Sequence, residues 1–553
     1  PAPARCGVLE VPENRAAPGG RRLGLNVAAV PAAGGSPAPD PVFVIAGGPG
    51  QPATAVPAGL LPPLDAVHQD RDIVLVDQRG TGRSNPLNCG GESWIQNARA
   101  GRGAEQLREC RAALEARADL GMYGTPAAVT DLDAVRAALG YERVNLVGIS
   151  YGSRVAQEYL RRHPGRTRSV VLRAVAPVGF NIPLEGALAA QAALDRGVAD
   201  CAAGAACSPA YPPLAADLDT VFARAERDPA PVLLRDPASG DTVTLALSRD
   251  LLAQTLYTLL LGSGTRQSIP MLVHGAATRG PRALEGVLSQ VVAAVYGPIP
   301  QGMYLSVVCT EDAPRITVAD APRGERTFMR EAGAIRGSCE GWPRGTLPAD
   351  FHRPFRSGVP VLMVSGGADP ATPPAMGERA RGYLRNSFHL VVPAASHGPV
   401  FPGCAEEMVA RFVAAASHAG LSAGCAGELR WEPFALPAAS AAAPAAPGYA
   451  EVALVSAAGA GVTRSTPGLR VTRAAAGMSG DTVESHHHTF DRVGVEGLRF
   501  PPLEMRITDL PVFRALGLGD RPTMLLGADL LRTCRVFISY TERRVHLCGA
   551  AAA

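Results

Sequence analysis

The sequence predicts an α/β protein, with a parallel sheet, one long helical insertion and a small β-rich region after it. Three observations carry that reading. Short β-branched runs alternate with Ala/Leu/Arg-rich stretches over residues 41–177, and the alternation resumes at Val359. The interval between loses that rhythm. Beyond Leu436 the Pro/Ala tract "LPAASAAAPAAPGY" separates a stretch of different composition.

Taken in order, "PVFVIAGGPG" (Pro41–Gly50), "DIVLVDQRG" (Asp72–Gly80) and "VNLVGIS" (Val144–Ser150) read as buried strands. So do "SVVLRAVAP" (Ser169–Pro177), "VPVLMVSGGADP" (Val359–Pro370) and "SFHLVVPAASHG" (Ser387–Gly398). Each ends in a Gly- or Pro-rich loop, where a parallel sheet presents its functional edge. Loop and helix fill Ser84 to Leu139, with "AAVTDLDAVRAALG" a helix stopped by Gly140. Helical segments such as "LEGALAAQAALDRGVADCAA" and "LSRDLLAQTLYTLLLG" fill the insertion. The expected organisation is a sheet domain at residues 1–177, a helical lid at 178–356 and the rest of the sheet domain at 357–435. A linker at 436–448 and a β domain at 449–553 complete it.

Apolar content of 47% and charged content of 19% belong to a globular chain. A formal net charge of +3, all of the basic side chains being arginine, gives no case for nucleic acid or an acidic membrane surface. No apolar run is long enough to span a bilayer. The chain starts at Pro1 without a charged and apolar leader, the expectation for a processed or partial protein. Eleven cysteines include several at separations that suit local bridges: Cys89 with Cys110, Cys201 with Cys207, Cys309 with Cys339, Cys404 with Cys425, and Cys534 with Cys548. Cys6 is then left over. Scattered buried thiols are the plainer alternative, and zinc lacks a CxxC pair. The bridges favour an oxidising compartment, secreted or periplasmic.

In "VNLVGISYGSRVAQEYLRRH" a strand runs into a glycine-bracketed serine and then a helix. The glycines relieve crowding at a sharp turn, so Ser150 stands above the sheet at a positive helix N-terminus. Simple helix capping by Ser150 is the alternative. A serine needs a base, and the base needs an orienting acid. Asp369 and His397 each close a later strand, which delivers both to the edge that carries Ser150. His389 lies within a strand, His163 and His418 lie at helix ends, and Asp350 precedes its strand. The oxyanion donors are expected at the backbone N–H groups of Gly47 or Gly48, in "AGGPGQ", and of Tyr151. No metal or organic cofactor is required.

The GGPG loop, "VDQRGTGRSNPLNC", "GISYG", "GGADPATPP" and "ASHG" resemble the proline iminopeptidase and tripeptidyl aminopeptidase group of the α/β-hydrolase fold. The opening "CGVLEVPENRAAPGGRRLGLNVAAVPA", the "CTED" at Cys309–Asp312 and the tail "HGPVFPGCAEEMVARFVAAASHAGLSAGCAG" resemble its secreted tripeptidyl-aminopeptidase-like members. The resemblance implies a serine peptidase acting on peptides with a free N-terminus, with Ser150, Asp369 and His397 as triad. It also nominates Glu311 as the carboxylate that anchors the free amine; a surface carboxylate beside a disulfide is the alternative. Arg173 and Ala174 stand where relatives usually show Asp-Gly, near the start of the lid, which puts the inherited substrate preference in question.

"DLPVFRALGLGDRPTMLLGADLLRTCRVFISYTERRVHL" (Asp509–Leu547) resembles the second half of a retropepsin-like aspartic protease, and Gly477–Ser485 its flap. The expected Asp-Thr-Gly is absent upstream, where "ALVSAAGAG" stands, and Asp481-Thr482-Val483 lacks the glycine. Asp529 is read as structural. Without the carboxylate dyad this all-β domain would be a non-catalytic module that dimerises or binds peptide. His486-His487-His488 alternate faces in a strand, which disfavours a metal site. Two other functions remain open at this point: an esterase or amidase on small acyl substrates, and a non-catalytic peptide-binding protein.

Overall fold

The structure is a computed structural model that describes residues 4–436 except 36, 56–63, 90–103, 236–241, 297–299, 318–327 and 398–403, with the backbone of nine strands beyond. Strands β1 (Arg5–Pro12) and β2 (Arg22–Val30) form an antiparallel hairpin. They are followed by β3 (Val42–Ile45), β4 (Ile73–Val76), β5 (Val144–Ile149) and β6 (Thr167–Arg173). A separate hairpin pairs β7 (Pro231–Arg235) with β8 (Thr242–Ala246). Then come β9 (Val361–Gly366) and β10 (Ser387–Val392).

Eight of these strands make one sheet in the order β1-β2-β4-β3-β5-β6-β9-β10. From β4 to β10 every pairing is parallel, while β1 and β2 run antiparallel at the edge. The hairpin was not expected as strands. Most of β1 is exposed, so it shows no run of buried apolar residues to announce it.

Alternation within the parallel strands loads both faces of the sheet. Phe43, Ile45, Leu146, Leu172 and Met363 join the core beneath the helices Thr125–Ala138 and Tyr151–Arg162. Val44, Val147, Val171, Leu362 and Leu390 pack on the other face against Met408 and Phe412 of the helix Cys404–Ala415. A strand buried on both faces is apolar throughout, which is why these strands were legible.

Because β6 and β9 are sheet neighbours, the chain leaves after Arg173 and returns at Val361. Most of the intervening helices share a core of their own, with Leu194, Val221, Phe222, Leu256, Val273 and Leu288 at its centre. Two of them begin on side-chain caps: Asn181 accepts from the Leu184 N–H, and Ser248 from that of Leu251. The helix Gln301–Glu311 departs from this pattern. Its Met303, Leu305, Val307 and Cys309 belong to the core of the sheet. The interval 178–356 is therefore divided between two cores.

Disulfides join Cys89 to Cys110, Cys201 to Cys207 and Cys309 to Cys339, and Cys6 is free and exposed. Cys425 is disulfide-bonded. The side chains of Cys404, Cys534 and Cys548 lie outside those described. Among the described residues no helix is long and apolar enough to cross a membrane.

The chain divides into two compact units, Pro1–Phe434 and Ala435–Ala553. In the second, every described element is a strand. Five form one sheet: β11 (Ala453–Val455), β12 (Arg470–Ala475), β13 (Thr482–Phe490), β16 (Leu503–Ile507) and β17 (Met524–Leu525). Two hairpins pair β14 (Val493–Val495) with β15 (Leu498–Phe500), and β18 (Cys534–Ser539) with β19 (Arg544–Gly549). The histidine run lies in β13; Asp481 and Asp529 fall outside the described residues.

Candidate active site

Strand β5 ends at Ile149 and the helix Tyr151–Arg162 starts two residues later, so Ser150 makes the whole turn. Its φ of 57° and ψ of −123° are unusual for a residue with a side chain. The flanking glycines fit the close approach this turn demands. A Cβ on Gly152 would overlap the carbonyl oxygens of Ile45 and Ala46, and one on Gly148 would overlap the Gly152 carbonyl. The Ser150 N–H is held by the Arg173 carbonyl at 2.9 Å.

Asp369 stands three residues beyond β9 and His397 five beyond β10, and the parallel sheet brings both loops to Ser150. His397 Nε2 lies 3.1 Å from Ser150 Oγ. Its Nδ1 lies 2.9 Å from each oxygen of Asp369. The loops interlock: a Cβ on Gly366 would overlap the Ser396 carbonyl, and the Ala368 N–H donates to Ala395 at 3.0 Å. Both carboxylate oxygens have further donors. Oδ1 accepts from the N–H groups of Ala371 and Thr372 at 2.8 and 2.9 Å, and Oδ2 from Thr372 Oγ1 at 2.9 Å. Burial by itself would push the Asp369 carboxyl up. The charge and hydrogen bond of His397, with these N–H groups, outweigh burial and hold it below its ordinary value.

Thr372 escaped the sequence reading. Its signal was local: a threonine three residues after an aspartate, in "DPATPP", can close the turn with its N–H and hydroxyl.

The GGPG loop packs against the serine. The Cβ position of Gly47 is 3.0 Å from Ser150 Cβ, and Gly48 has a φ of 108°. Tyr151 opens its helix, so its N–H has no intrahelical acceptor.

Glu311 ends the helix Gln301–Glu311 and is fully buried, unlike a surface carboxylate beside its disulfide. Oε1 accepts from the Thr125 N–H at 2.7 Å; Oε2 accepts from Thr125 Oγ1 at 2.9 Å and from Arg154 at 3.1 Å. Thr125 Oγ1 also meets the Tyr151 hydroxyl at 2.8 Å, so one residue separates Glu311 from the side chain next to Ser150. Burial pushes the Glu311 carboxyl up to about 6, against the opposing charge of Arg154. Arg154 also pairs with Asp312, which accepts from Arg315 at 2.9 Å. Neither Thr125 nor Arg154 was singled out in the sequence, because neither lies near Glu311 along the chain.

Arg173 corrects an expectation. It is buried within β6, and the charge facing it is Glu406, on the helix Cys404–Ala415 across the opposite sheet face from the helix Tyr151–Arg162. Its side chain is thus directed away from the helical insertion's expected start rather than into it. Burial lowers its guanidinium to about 10. The competing histidines also have structural partners. His389 is enclosed between Glu378 and Ser365, His418 meets Asn386 at 3.0 Å, and His163 closes a helix. Asp350 pairs with Arg162 at the surface. Among the described residues no three His, Cys, Asp or Glu side chains are grouped to hold a metal ion.

Residues 40–206 match the family described as alpha/beta hydrolase fold, and residues 326–423 the family described as TAP-like protein. Serine protease Hip1 of Mycobacterium tuberculosis is 28% identical over 451 residues, spanning 75% of this chain and 85% of its own. The putative hydrolase YuaR of Escherichia coli is 28% identical over 368 residues, 60% of this chain and 68% of its own. The tripeptidyl aminopeptidase of Streptomyces coelicolor is 29% identical over 193 residues, 32% and 36% of the two chains.

Proposed function

The chain has the α/β-hydrolase fold, and on that premise we propose that it is a serine exopeptidase, cleaving peptide bonds near free N-termini through an acyl-enzyme. One observation carries the reading: three loops far apart in sequence converge, so that His397 touches both the Ser150 hydroxyl and the Asp369 carboxylate. Relatives named as a serine protease and a tripeptidyl aminopeptidase favour a peptide as substrate.

In this mechanism Ser150 attacks the scissile carbonyl while His397 Nε2 takes the hydroxyl proton. Asp369 holds the Nδ1 proton and stabilises the imidazolium. The N–H groups of Gly48 and Tyr151 receive the oxyanion; each such donor is typically worth about 3 kcal/mol in the transition state. The imidazolium then protonates the leaving amine, and water releases the acyl group by the same route in reverse. The helical insertion acts as the lid that limits substrate length.

Glu311 holds the substrate amine in this reading. The carboxylate is fully buried on Thr125 and Arg154, so an ammonium group reaches it only by displacing one of these partners. The C-terminal unit is a retropepsin-like module without catalysis, suited to dimerisation or peptide binding. The disulfides fit export to an oxidising compartment.

The deciding experiment compares a tripeptide anilide with its N-acetylated form. The free amine should be hydrolysed far faster, and Glu311→Gln should raise KM for it while leaving the acetylated form unchanged. Equal turnover of the two would instead support an esterase or amidase of broad acyl specificity.

A further inference from the structure

The loop that carries His397 is held from two sides. On the sheet side it leans on the Asp369 loop. On the other side it is bound by the helical insertion. The Ser396 N–H donates to Ser263 Oγ at 2.9 Å, and the Ser396 hydroxyl donates to the Leu260 carbonyl. Ser396 is fully buried, so neither donor has water as a substitute. Leu260 lies in the last turn of the helix Arg249–Leu261, whose terminal carbonyls need donor partners from outside the helix. Each element thus satisfies the other.

The segment that presents Ser263 is itself fixed. Thr265 Oγ1 donates to the Leu259 carbonyl at 2.7 Å. Next to it, the buried Arg266 is ion-paired with Asp200, and its guanidinium lies 4.9 Å from the Trp431 ring and 5.5 Å from the Phe434 ring. The insertion reaches the acid loop as well, where Arg196 donates to the Gly367 carbonyl at 3.4 Å. Nothing in this arrangement touches the reacting atoms. It fixes the backbone one residue before the base.

We propose that Ser263 is a positioning residue for the reaction, holding Ser396 so that His397 Nε2 stays within proton-transfer distance of Ser150. The insertion then sets the base as well as covering the substrate. The inference rests on the serine-hydrolase reading of Ser150 and His397.

The test is made on the full chain with Ser263→Ala and Ser263→Thr, the second keeping a hydroxyl. A misplacement of the base by about 1 Å costs on the order of 100-fold in rate. Ser263→Ala should therefore lower kcat and the rate of fluorophosphonate labelling by about 10- to 100-fold, with KM for a small ester unchanged, and Ser263→Thr should restore most of it. The low-field proton resonance of His397 Nδ1–H, bonded to Asp369, should broaden in Ser263→Ala without any substrate present. Ser396→Ala, which removes the hydroxyl's bonds to the Leu260 and Ala368 carbonyls but keeps the N–H bond to Ser263, should give a smaller loss of the same kind. If Ser263→Ala fails to fold, Ser263→Cys, whose thiol is a weaker acceptor for the Ser396 N–H, decides the matter through the same kcat and resonance.

A folded Ser263→Ala with unchanged kcat, labelling and resonance overturns the proposal, as does a raised KM at constant kcat, which would make Ser263 a substrate contact. Labelling of wild type that does not depend on Ser150 would instead remove the hydrolase reading itself.

Discussion

Strands β9 and β10 feed two serine–histidine–carboxylate sets. In one, Ser150 Oγ is 3.1 Å from His397 Nε2, and Asp369 is 2.9 Å from Nδ1. In the other, Ser365 Oγ is 2.9 Å from His389 Nε2, and Glu378 is 2.6 Å from Nδ1. By distance the second set is the tighter. Ser365, however, lies inside β9 in ordinary register with Val391 and is fully buried, so no carbonyl carbon can approach its oxygen. Ser150 is lifted out of its strand by a positive φ and sits against a glycine loop and a helix N-terminus. Contact distances describe a hydrogen-bond chain. Exposure and nearby backbone donors are what let one become a nucleophile.

The largest effect expected from this contrast is at the two serines. Ser150→Ala should lower kcat by roughly a million-fold and abolish fluorophosphonate labelling. Ser365→Ala should leave both near wild type and lose only stability. Labelling that followed Ser365 would break the comparison. At the acids, Asp369→Asn should lower kcat by about 10,000-fold by favouring the wrong imidazole tautomer. Glu378→Gln should leave kcat unchanged, since His389 meets no reacting group.

Acid titration separates the same two carboxyls by a smaller margin. The His389 hydrogen bond lowers Glu378, while His397 and backbone donors lower Asp369 against the opposing effect of burial. A depressed carboxyl contributes stability that is present above its unfolded value and lost as pH falls through its folded value. Asp369 should carry the larger share, because solvent screens Glu378, whose side chain is 53% exposed. Urea melts from about pH 6 down to about pH 3 should show a shallower acid loss in Asp369→Asn than in Glu378→Gln. Equal slopes would show that burial does not distinguish the two.

Ser150, Asp369 and His397 could be picked out because each follows an apolar strand within five residues, in a loop at the same sheet edge. Positions that depend on the third dimension could not. Thr125 and Arg154 reach Glu311 across 186 and 157 residues, and Ser263 reaches Ser396 across 133. No local pattern marks such partners. β1 was hidden for another reason: an exposed edge strand needs no buried face, so its residues carry little periodicity, whereas β2 does alternate, burying Leu23, Leu25 and Val27. Arg173 misled because its place in the chain suggested the lid, whereas strand parity puts it on the face with Val171, toward the helix Cys404–Ala415.

The smallest effect concerns a second residue with positive φ beside the first. Ala174, at 51°, follows β6 directly after Arg173, whose carbonyl holds the Ser150 N–H. A left-handed alanine costs about 1–2 kcal/mol, which glycine would relieve. Against that, glycine adds about 0.4–1 kcal/mol of unfolded-chain entropy and forfeits roughly 0.8 kcal/mol of buried methyl. Ala174→Gly should therefore lie close to wild type in stability. Ala156→Gly, also buried but inside the helix that follows Ser150, has no strain to relieve and should lose about 2 kcal/mol. Urea denaturation of both variants measures the difference, and equal losses would mean that the turn at Ala174 stores no strain. With kcat unchanged in Ala174→Gly, backbone strain at this sheet edge would serve catalysis only where it raises the serine hydroxyl.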